Sequence, residues 1–282
     1  MQLHNSGAEV YVPDGLPVDK ALARTTHMGI SAHQDDLEIM AYHGILECFG
    51  GQDKGFAGVT VTNGAGSPRD GLYGKYTDDE MQVVRRKEQK KAAYVGEYSV
   101  HVFLDYSSGA VKDAKNPKVV DDLKQILAAS KPQVIYTHNL ADKHDTHVAT
   151  TLRVIRALRE LPADARPQHL YGCEVWRNLD WLNDDDKVIF NVEAHENLAM
   201  SLVGVFDSQV AGGKRYDLAT MGRRRANATY LASHGVDEST ALIFGTDLTP
   251  LINDPQLNAE QYVQRLIHHF AEEVSDRLAK LS

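Results

Sequence analysis

Short apolar runs alternate with longer amphipathic segments along the first two thirds of the chain. The runs are rich in β-branched and aromatic residues and predict five strands, at Thr26–Ala32, Gly55–Thr62, His101–Tyr106, Pro132–His138 and Leu170–Trp176. The segments between them predict helices at Asp36–Phe49, Asp78–Gly96, Lys118–Ser130 and Thr146–Leu161. Strands that alternate with helices form βαβ units. The pattern therefore predicts an α/β fold, a Rossmann-like, doubly wound, mainly parallel sheet flanked by helices.

The last third of the chain has a looser pattern. It predicts a strand at 187–192, a helix at 196–206, a loop at 211–218 and a C-terminal helix at 257–281 whose apolar stripe packs on the sheet. No Pro/Gly-rich linker divides the chain, so we expect one domain over 1–282. Its parts would be an N-terminal extension (1–25), a core sheet (26–176), and a substrate-side segment with the C-terminal helix (177–282).

Two polar clusters follow the first and fourth predicted strands. The carboxyl ends of parallel strands face the ligand crevice of an open α/β sheet. If these two strands are neighbours where the strand order reverses, the clusters converge on one site. Their members are His33, Asp35 and Asp36 in the first cluster and Asp142, His144, Asp145 and His147 in the second.

Histidines and carboxylates in this combination suit an open metal site. Catalytic zinc takes three protein ligands and leaves a position for water, and a further carboxylate can accept a proton from that water. Two other interpretations stay open at this point. Asp35 or Asp36 could cap the following helix, and His144 and His147 could be surface histidines at a helix start.

Composition restricts the other functions. The net charge of −9 over 282 residues and the absence of a dense Lys/Arg run argue against nucleic-acid binding. The two cysteines, Cys48 and Cys173, are far apart in sequence and suit a reducing compartment. No segment resembles a signal peptide or a membrane span. We therefore expect a soluble, cytoplasmic protein without a membrane partner.

The first cluster also carries a family resemblance. The segment AHQDDLE (32–38) resembles the AHPDDxE signature of the PIG-L/LmbE-like deacetylases, and NLADKHDTH (139–147) resembles their second motif. The similarity extends to VTVTNGAG (59–66), RRKEQKKAAYVG (85–96) and DSQ (207–209). It implies the doubly wound fold and a hydrolase that removes acetyl groups from N-acetylated amino sugars, or cleaves related amides, with one divalent metal.

The resemblance also implies roles for individual residues. By matching motif position, His33, Asp36 and His147 are metal ligands, Asp35 is the general base, and His144 stabilises the tetrahedral oxyanion. Zn²⁺ is the expected metal, and Fe²⁺ or another divalent cation suits the same ligands.

Two positions depart from the family motifs. Gln34 replaces a proline, which would make the loop less rigid without removing a ligand. Thr146 replaces the carboxylate next to the last histidine, so Asp142 or Asp145 would have to orient that histidine instead.

Substrate contacts are predicted from two places. Arg69 and Asp70 lie in the glycine-rich segment 64–71, which is either a mobile loop that contacts sugar hydroxyls or a simple turn. Asp105 ends the third predicted strand and resembles the family's substrate-binding aspartate. The expected partner is a small-molecule N-acyl amino sugar or related amide. Because members of the family are often homo-oligomers, the resemblance leaves a homo-oligomer open.

Other functions remain as alternatives to a deacetylase. An amidase that acts on a thiol conjugate of a sugar would use the same site. A metal-binding member without catalytic activity would also keep it. A nucleotide-binding Rossmann oxidoreductase would need a GxGxxG loop after the first strand, which is absent. A two-metal phosphoesterase would need bridging carboxylates that the sequence does not offer.

Overall fold

One eight-stranded sheet forms the centre of the protein in the computed structural model, which describes all 282 residues. The strands are β1 (Glu9–Tyr11), β2 (His27–Ser31), β3 (Phe56–Thr62), β4 (Val100–Tyr106), β5 (Val134–His138), β6 (His169–Cys173), β7 (Val188–Asn191) and β8 (Leu242–Asp247). Their order is β1-β4-β3-β2-β5-β6-β8-β7. The five central strands are parallel, whereas β1 and β8 run antiparallel to their neighbours. The predicted α/β class with a mainly parallel sheet is confirmed.

Helices cover both faces of this sheet. They are α1 (Val18–Ala23), α2 (Asp36–Met40), α3 (Tyr42–Cys48), α4 (Asp78–Val95), α5 (Ser108–Lys112), α6 (Lys118–Ser130), α7 (Asp145–Arg159), α8 (Glu196–Gly204), α9 (Asp207–Val210), α10 (Tyr216–Tyr230), α11 (Thr249–Asn253) and α12 (Ala259–Leu281). Neighbouring strand residues point to opposite faces, so Ile135 joins one buried apolar cluster and Tyr136 the other. The sheet is therefore buried on both sides.

The strand order reverses between β2 and β5. These two strands pair in parallel, with His27 opposite Val134 and Gly29 opposite Tyr136. Strands β3 and β4 follow on one side of the pair, and β6 on the other. The loops after β2 and β5 therefore start side by side at one edge of the sheet, as the sequence predicted for the first and fourth runs.

Several elements differ from the sequence prediction. The expected helix at 36–49 is divided at Ala41 into α2 and α3. Strands β1 and β8 were not predicted, and α10 begins at Tyr216, inside the segment predicted as a loop. Helix α10 lacks an apolar stripe because polar side chains, among them Arg224 and Asn227, occupy most of its buried positions. Hydrophobic periodicity could not reveal it.

The C-terminal helix packs on the protein only through its first turns, which corrects the expected stripe. Tyr262 and Leu266 are buried, but Phe270, Val274 and Leu278 are 37%, 39% and 63% exposed. The amphipathic pattern correctly predicted a helix, but it does not show which of its apolar side chains are buried by the rest of the protein. No helix is long and apolar enough to cross a membrane.

Candidate metal centre and active site

Three side chains from the two adjacent loops meet at the carboxyl edge of the sheet. His33 follows β2, Asp36 begins α2, and His147 lies in the first turn of α7. His33 Nδ1 lies 3.1 Å from His147 Nε2 and 3.2 Å from Asp36 Oδ2. His147 Nε2 lies 3.4 Å from the same Asp36 oxygen. Three potential ligand atoms thus form a nearly equilateral triangle.

The size of this triangle fits a single small cation. Ligand atoms about 2.0–2.1 Å from a tetrahedral zinc lie about 3.3–3.4 Å from one another. His144 offers a further nitrogen, since the ligand atoms of His33, His144 and His147 all lie within 4.8 Å of one another. His144 Nδ1 is buried and has no hydrogen-bond partner. The donor set therefore fits a divalent metal ion.

His138, the last residue of β5, is a different kind of neighbour. Its Nε2 lies 3.5 Å from Asp36 Oδ2, but the same nitrogen accepts a 2.8 Å hydrogen bond from the amide of Ala32. Its ring stacks on His147 with 3.8 Å between centroids. Because its lone pair is already engaged, His138 supports the ring of His147 rather than completing the ligand triangle. The sequence analysis did not identify this residue.

Electrostatics favour an ionised Asp36 beside a neutral His33, whereas, against the effect of burial, Asp36 and Asp142 raise the pKa of His147. Burial alone would raise the pKa of Asp36, but His147, His138 and the hydrogen bond from His33 hold it well below its usual range. Burial lowers the pKa of His33 to about 4, despite the nearby Asp36. Metal binding requires deprotonated ligands. Asp36 and His33 are therefore ready to bind a cation near neutral pH.

A carboxylate orients His147 although Thr146 has replaced the usual neighbour. Asp142 Oδ2 lies 3.3 Å from His147 Nδ1, and the other Asp142 oxygen accepts a 2.8 Å bond from the amide of His144. Asp145 is exposed and makes no side-chain hydrogen bond. Of the two aspartates that the sequence analysis proposed for this role, the structure places Asp142 against His147.

Asp35 occupies a strained position beside the triangle. Its φ of 96° lies in the left-handed region, which non-glycine residues adopt at a cost. Burial raises the pKa of Asp35 well above its usual value, and the Arg85 guanidinium, 3.7 Å away, opposes this rise. The side chain of Gln89 fixes the loop at Asp35, because it accepts a hydrogen bond from the backbone amide of Asp35 and donates one to Glu38. A carboxylate with an increased proton affinity thus faces the crevice.

Gln34 keeps the loop in place without the family's proline. The side-chain amide of Gln34 donates a 3.1 Å hydrogen bond to the backbone carbonyl of Thr62. The backbone carbonyl of Gln34 accepts a 2.6 Å hydrogen bond from Arg85. Gly64 lies directly against it, with φ +75°, and a Cβ at this glycine would overlap Gln34 Oε1. The loss of rigidity expected from the missing proline is offset by these contacts.

Glu88 of α4 connects this helix to the later DSQ segment (207–209). The buried carboxylate of Glu88 accepts bonds from the amide of Ser208 (2.8 Å) and from its hydroxyl (2.6 Å). Gln209 donates to the same hydroxyl and lines the crevice. Two segments 120 residues apart are thereby joined beside Asp35.

The crevice above these residues is polar and has a volume of about 420 Å³. Its lining residues are His33, Asp35, Asp36, Gly64, Gly66, Ser67, Pro68, Arg85, Ser108, Lys112, His144, Thr146, Trp176, Gln209, Lys214 and Tyr216. Lys112, Lys214 and Tyr216 were missed by the sequence analysis. They lie on helix ends and loops from separate segments, and no motif connects them.

The three predicted substrate contacts lie elsewhere. Arg69 donates to the carbonyls of Ala65 and Tyr76 and pairs with Asp78, so it holds its own loop together. Asp70 caps a short 3-10 turn by accepting from the amide of Gly71.

Asp105, at the end of β4, also faces away from the crevice. It pairs with Arg86 Nη2 at 2.6 Å and belongs to a separate surface depression beside α4. None of the three predicted contacts lines the crevice, because local hydrogen bonds and ion pairs turn each side chain away from it.

Part of the chain matches the model of a known protein family. Residues 28–158 match the family model PIG-L, described as GlcNAc-PI de-N-acetylase. This stretch of the chain therefore resembles the PIG-L family. The match spans β2 to α7 and so includes both loops of the ligand triangle. None of the curated proteins matches this chain.

Solved structures share the fold of this chain at low sequence identity. A conserved protein from Thermus thermophilus is 18% identical, with TM-score 0.59 over 83% of this chain and 99% of its own. GalB, the 4-carboxy-2-hydroxymuconate hydratase from Pseudomonas putida, is 15% identical, with TM-score 0.58 over 79% and 96%. The N,N'-diacetylchitobiose deacetylase from Pyrococcus horikoshii is 17% identical, with TM-score 0.58 over 78% and 83%. The family match supports a hydrolase of the deacetylase type, and these neighbours support the fold.

Proposed function

We propose that this protein is a metal-dependent N-deacetylase that releases acetate from an N-acetylated amino sugar or a related amide. The observation that carries the proposal is the triangle of His33, Asp36 and His147 with Asp35 beside it. The PIG-L match over the residues that form it supports the same reaction class. The similarity to a chitobiose deacetylase favours a sugar substrate.

His33, Asp36 and His147 would hold the cation, which is Zn²⁺ in this proposal, with Fe²⁺ or another divalent ion as the alternative. A cation bound there polarises the amide carbonyl and makes water more acidic. Asp35 takes the proton of the attacking water and delivers it to the departing nitrogen, and its raised pKa suits both steps. His144 faces the same space and stabilises the charge that develops on the carbonyl oxygen.

Metal content and amine release, measured on the same samples, test this proposal. Wild-type protein is expected to bind about one divalent ion per chain and to release amine from N-acetylglucosamine or N,N'-diacetylchitobiose. His147→Ala should lose both the metal and the amine release. Asp35→Asn should keep the metal and lose turnover by about 100-fold or more. Asp70→Asn, which changes a carboxylate outside the crevice, should retain both.

Two results would contradict the proposal. Normal turnover by Asp35→Asn would remove the assignment of the base, and a wild type that binds metal without releasing amine would indicate a member without deacetylase activity. Amine release only from a sugar–thiol conjugate would favour the amidase instead. A hydratase occurs among the similar folds, so amine release, and not the fold, distinguishes these reactions.

A further inference from the structure

Three unpaired lysines lie in or beside the crevice. Lys112 ends α5, Lys143 lies in the loop after β5, and Lys214 precedes α10. Lys112 and Lys214 line the crevice directly. The ion-paired lysines of the chain are other residues, namely Lys54, Lys90, Lys124 and Lys187. The ammonium groups of these three lysines are therefore free to bind an external anion.

Two of these lysines are held against an aromatic wall. Lys214 Nζ lies 5.0 Å and Lys143 Nζ 5.9 Å from the centroid of the Trp176 ring, within the range of cation–π contacts. Trp176 packs edge-on against Tyr216 at 5.9 Å. The amide of Trp176 also donates to Asp142, the carboxylate that faces His147. The wall and its lysines are thus connected to the metal centre.

Positively charged side chains predominate around the crevice, whereas the chain as a whole has a negative net charge. The protein carries 39 acidic and 30 basic residues, but the only carboxylates that line the crevice are Asp35 and Asp36. Arg85 faces Asp35, and histidines surround Asp36. Lys112, Lys143 and Lys214 are left without counter-charges. A polar cleft with an excess of one charge attracts ligands of the opposite charge.

We propose that the crevice selects an anionic substrate, an N-acyl amino sugar that carries a phosphate or a carboxylate bound between Lys143 and Lys214 beside Trp176. This inference rests on the proposed deacetylase function and adds the substrate class to it. Lys112, which also lines the crevice, adds to the attraction. Both ammonium groups lie over the face of the Trp176 ring, so a ligand anion bound beside that ring could contact both of them.

Substrate pairs of equal size and different charge test the proposal. We expect kcat/KM for N-acetylglucosamine 6-phosphate or N-acetylmuramic acid to exceed that for N-acetylglucosamine by about 10-fold or more at low salt, and this ratio to fall as salt is added. In Lys143→Gln/Lys214→Gln the ratio should fall to near one. Lys280→Gln, which removes the same charge from α12, should keep the wild-type ratio. Equal values for charged and neutral sugars in the wild type would overturn the proposal.

A binding measurement separates this inference from the proposed reaction. Trp176 and Trp181 are the only tryptophans, so Trp181→Phe makes the fluorescence report on the crevice. In metal-free Trp181→Phe protein we expect saturable changes with N-acetylglucosamine 6-phosphate or N-acetylmuramic acid, lost when Lys143 and Lys214 are both replaced by Gln. Which of the two sugars binds shows whether the site prefers a phosphate or a carboxylate. Binding to the metal-free protein, with no amine release by the metal-loaded wild type, would contradict the deacetylase and keep the anion site. No binding of either sugar would overturn the anion site.

Discussion

Asp142 Oδ2 lies 3.3 Å from His147 Nδ1, on the side of the imidazole ring opposite to Asp36. A carboxylate in this position fixes the tautomer and direction of a metal-binding histidine. The chain has thus replaced a carboxylate adjacent to His147 in sequence by one five residues earlier. This relationship leads to the first prediction.

Asp142→Asn should weaken metal binding by about 10-fold or more, because the amide holds the ring of His147 less firmly than the carboxylate. The measurement is a competition titration of metal-free protein with Zn²⁺ and a chromogenic chelator. Asp145→Asn is the matched control, since Asp145 is exposed and makes no such contact. Equal losses in the two variants would show that the contact of Asp142 with His147 is unimportant.

Gly64→Ala should lower the free energy of unfolding by about 1–3 kcal/mol. The glycine has φ +75°, and an added Cβ would overlap the side chain of Gln34, next to Asp35. Urea unfolding measures the loss, and kcat for the best substrate should decrease with it. Gly66→Ala, in the same loop, should change stability little because a Cβ added there meets no heavy atom within 4 Å. A stable Gly64→Ala protein would mean that Gln34 can move at no cost.

His101 should make the protein less stable in acid. Burial lowers its pKa to about 3, whereas in the unfolded chain it is about 6.5. Between these values only the unfolded state takes up a proton, so stability is lost as pH falls below about 6.5. Relative to His101→Gln, the wild type should lose about 2–3 kcal/mol of unfolding free energy between pH 7 and 4.5. Urea unfolding of metal-free proteins measures this, and a difference that does not vary with pH would contradict it.

Replacing leucines of α12 by alanine should lower the free energy of unfolding by very different amounts at different positions. Leu266 is 5% exposed and Leu278 is 63% exposed. Leu266→Ala should cost about 2–4 kcal/mol because it leaves a cavity, and Leu278→Ala less than about 0.5 kcal/mol. Urea unfolding compares the two variants. A similar cost for both would show that the exposed stripe is covered in solution.

The sequence by itself determined the architecture and the main chemical residues. The alternation of apolar runs with helical segments predicted a parallel sheet. Strands of a parallel sheet are buried on both faces, so they are recognisable as nearly continuous apolar runs. The clusters around Asp35 and His147 follow β2 and β5, and βαβ topology brings those ends together. Adjacency of these strands was therefore predictable from local pattern and chirality rules.

Only the tertiary structure decided which side chains enter the crevice. Arg69 and Asp105 looked suitable in sequence, but ion pairs with Asp78 and Arg86 turn them away. Lys214 and Trp176 enter it from segments that have no shared motif. Side-chain direction depends on individual hydrogen bonds and ion pairs, which periodicity does not encode. The same reason explains α12: its amphipathic pattern specifies a helix, and packing alone determines how much of the stripe is buried.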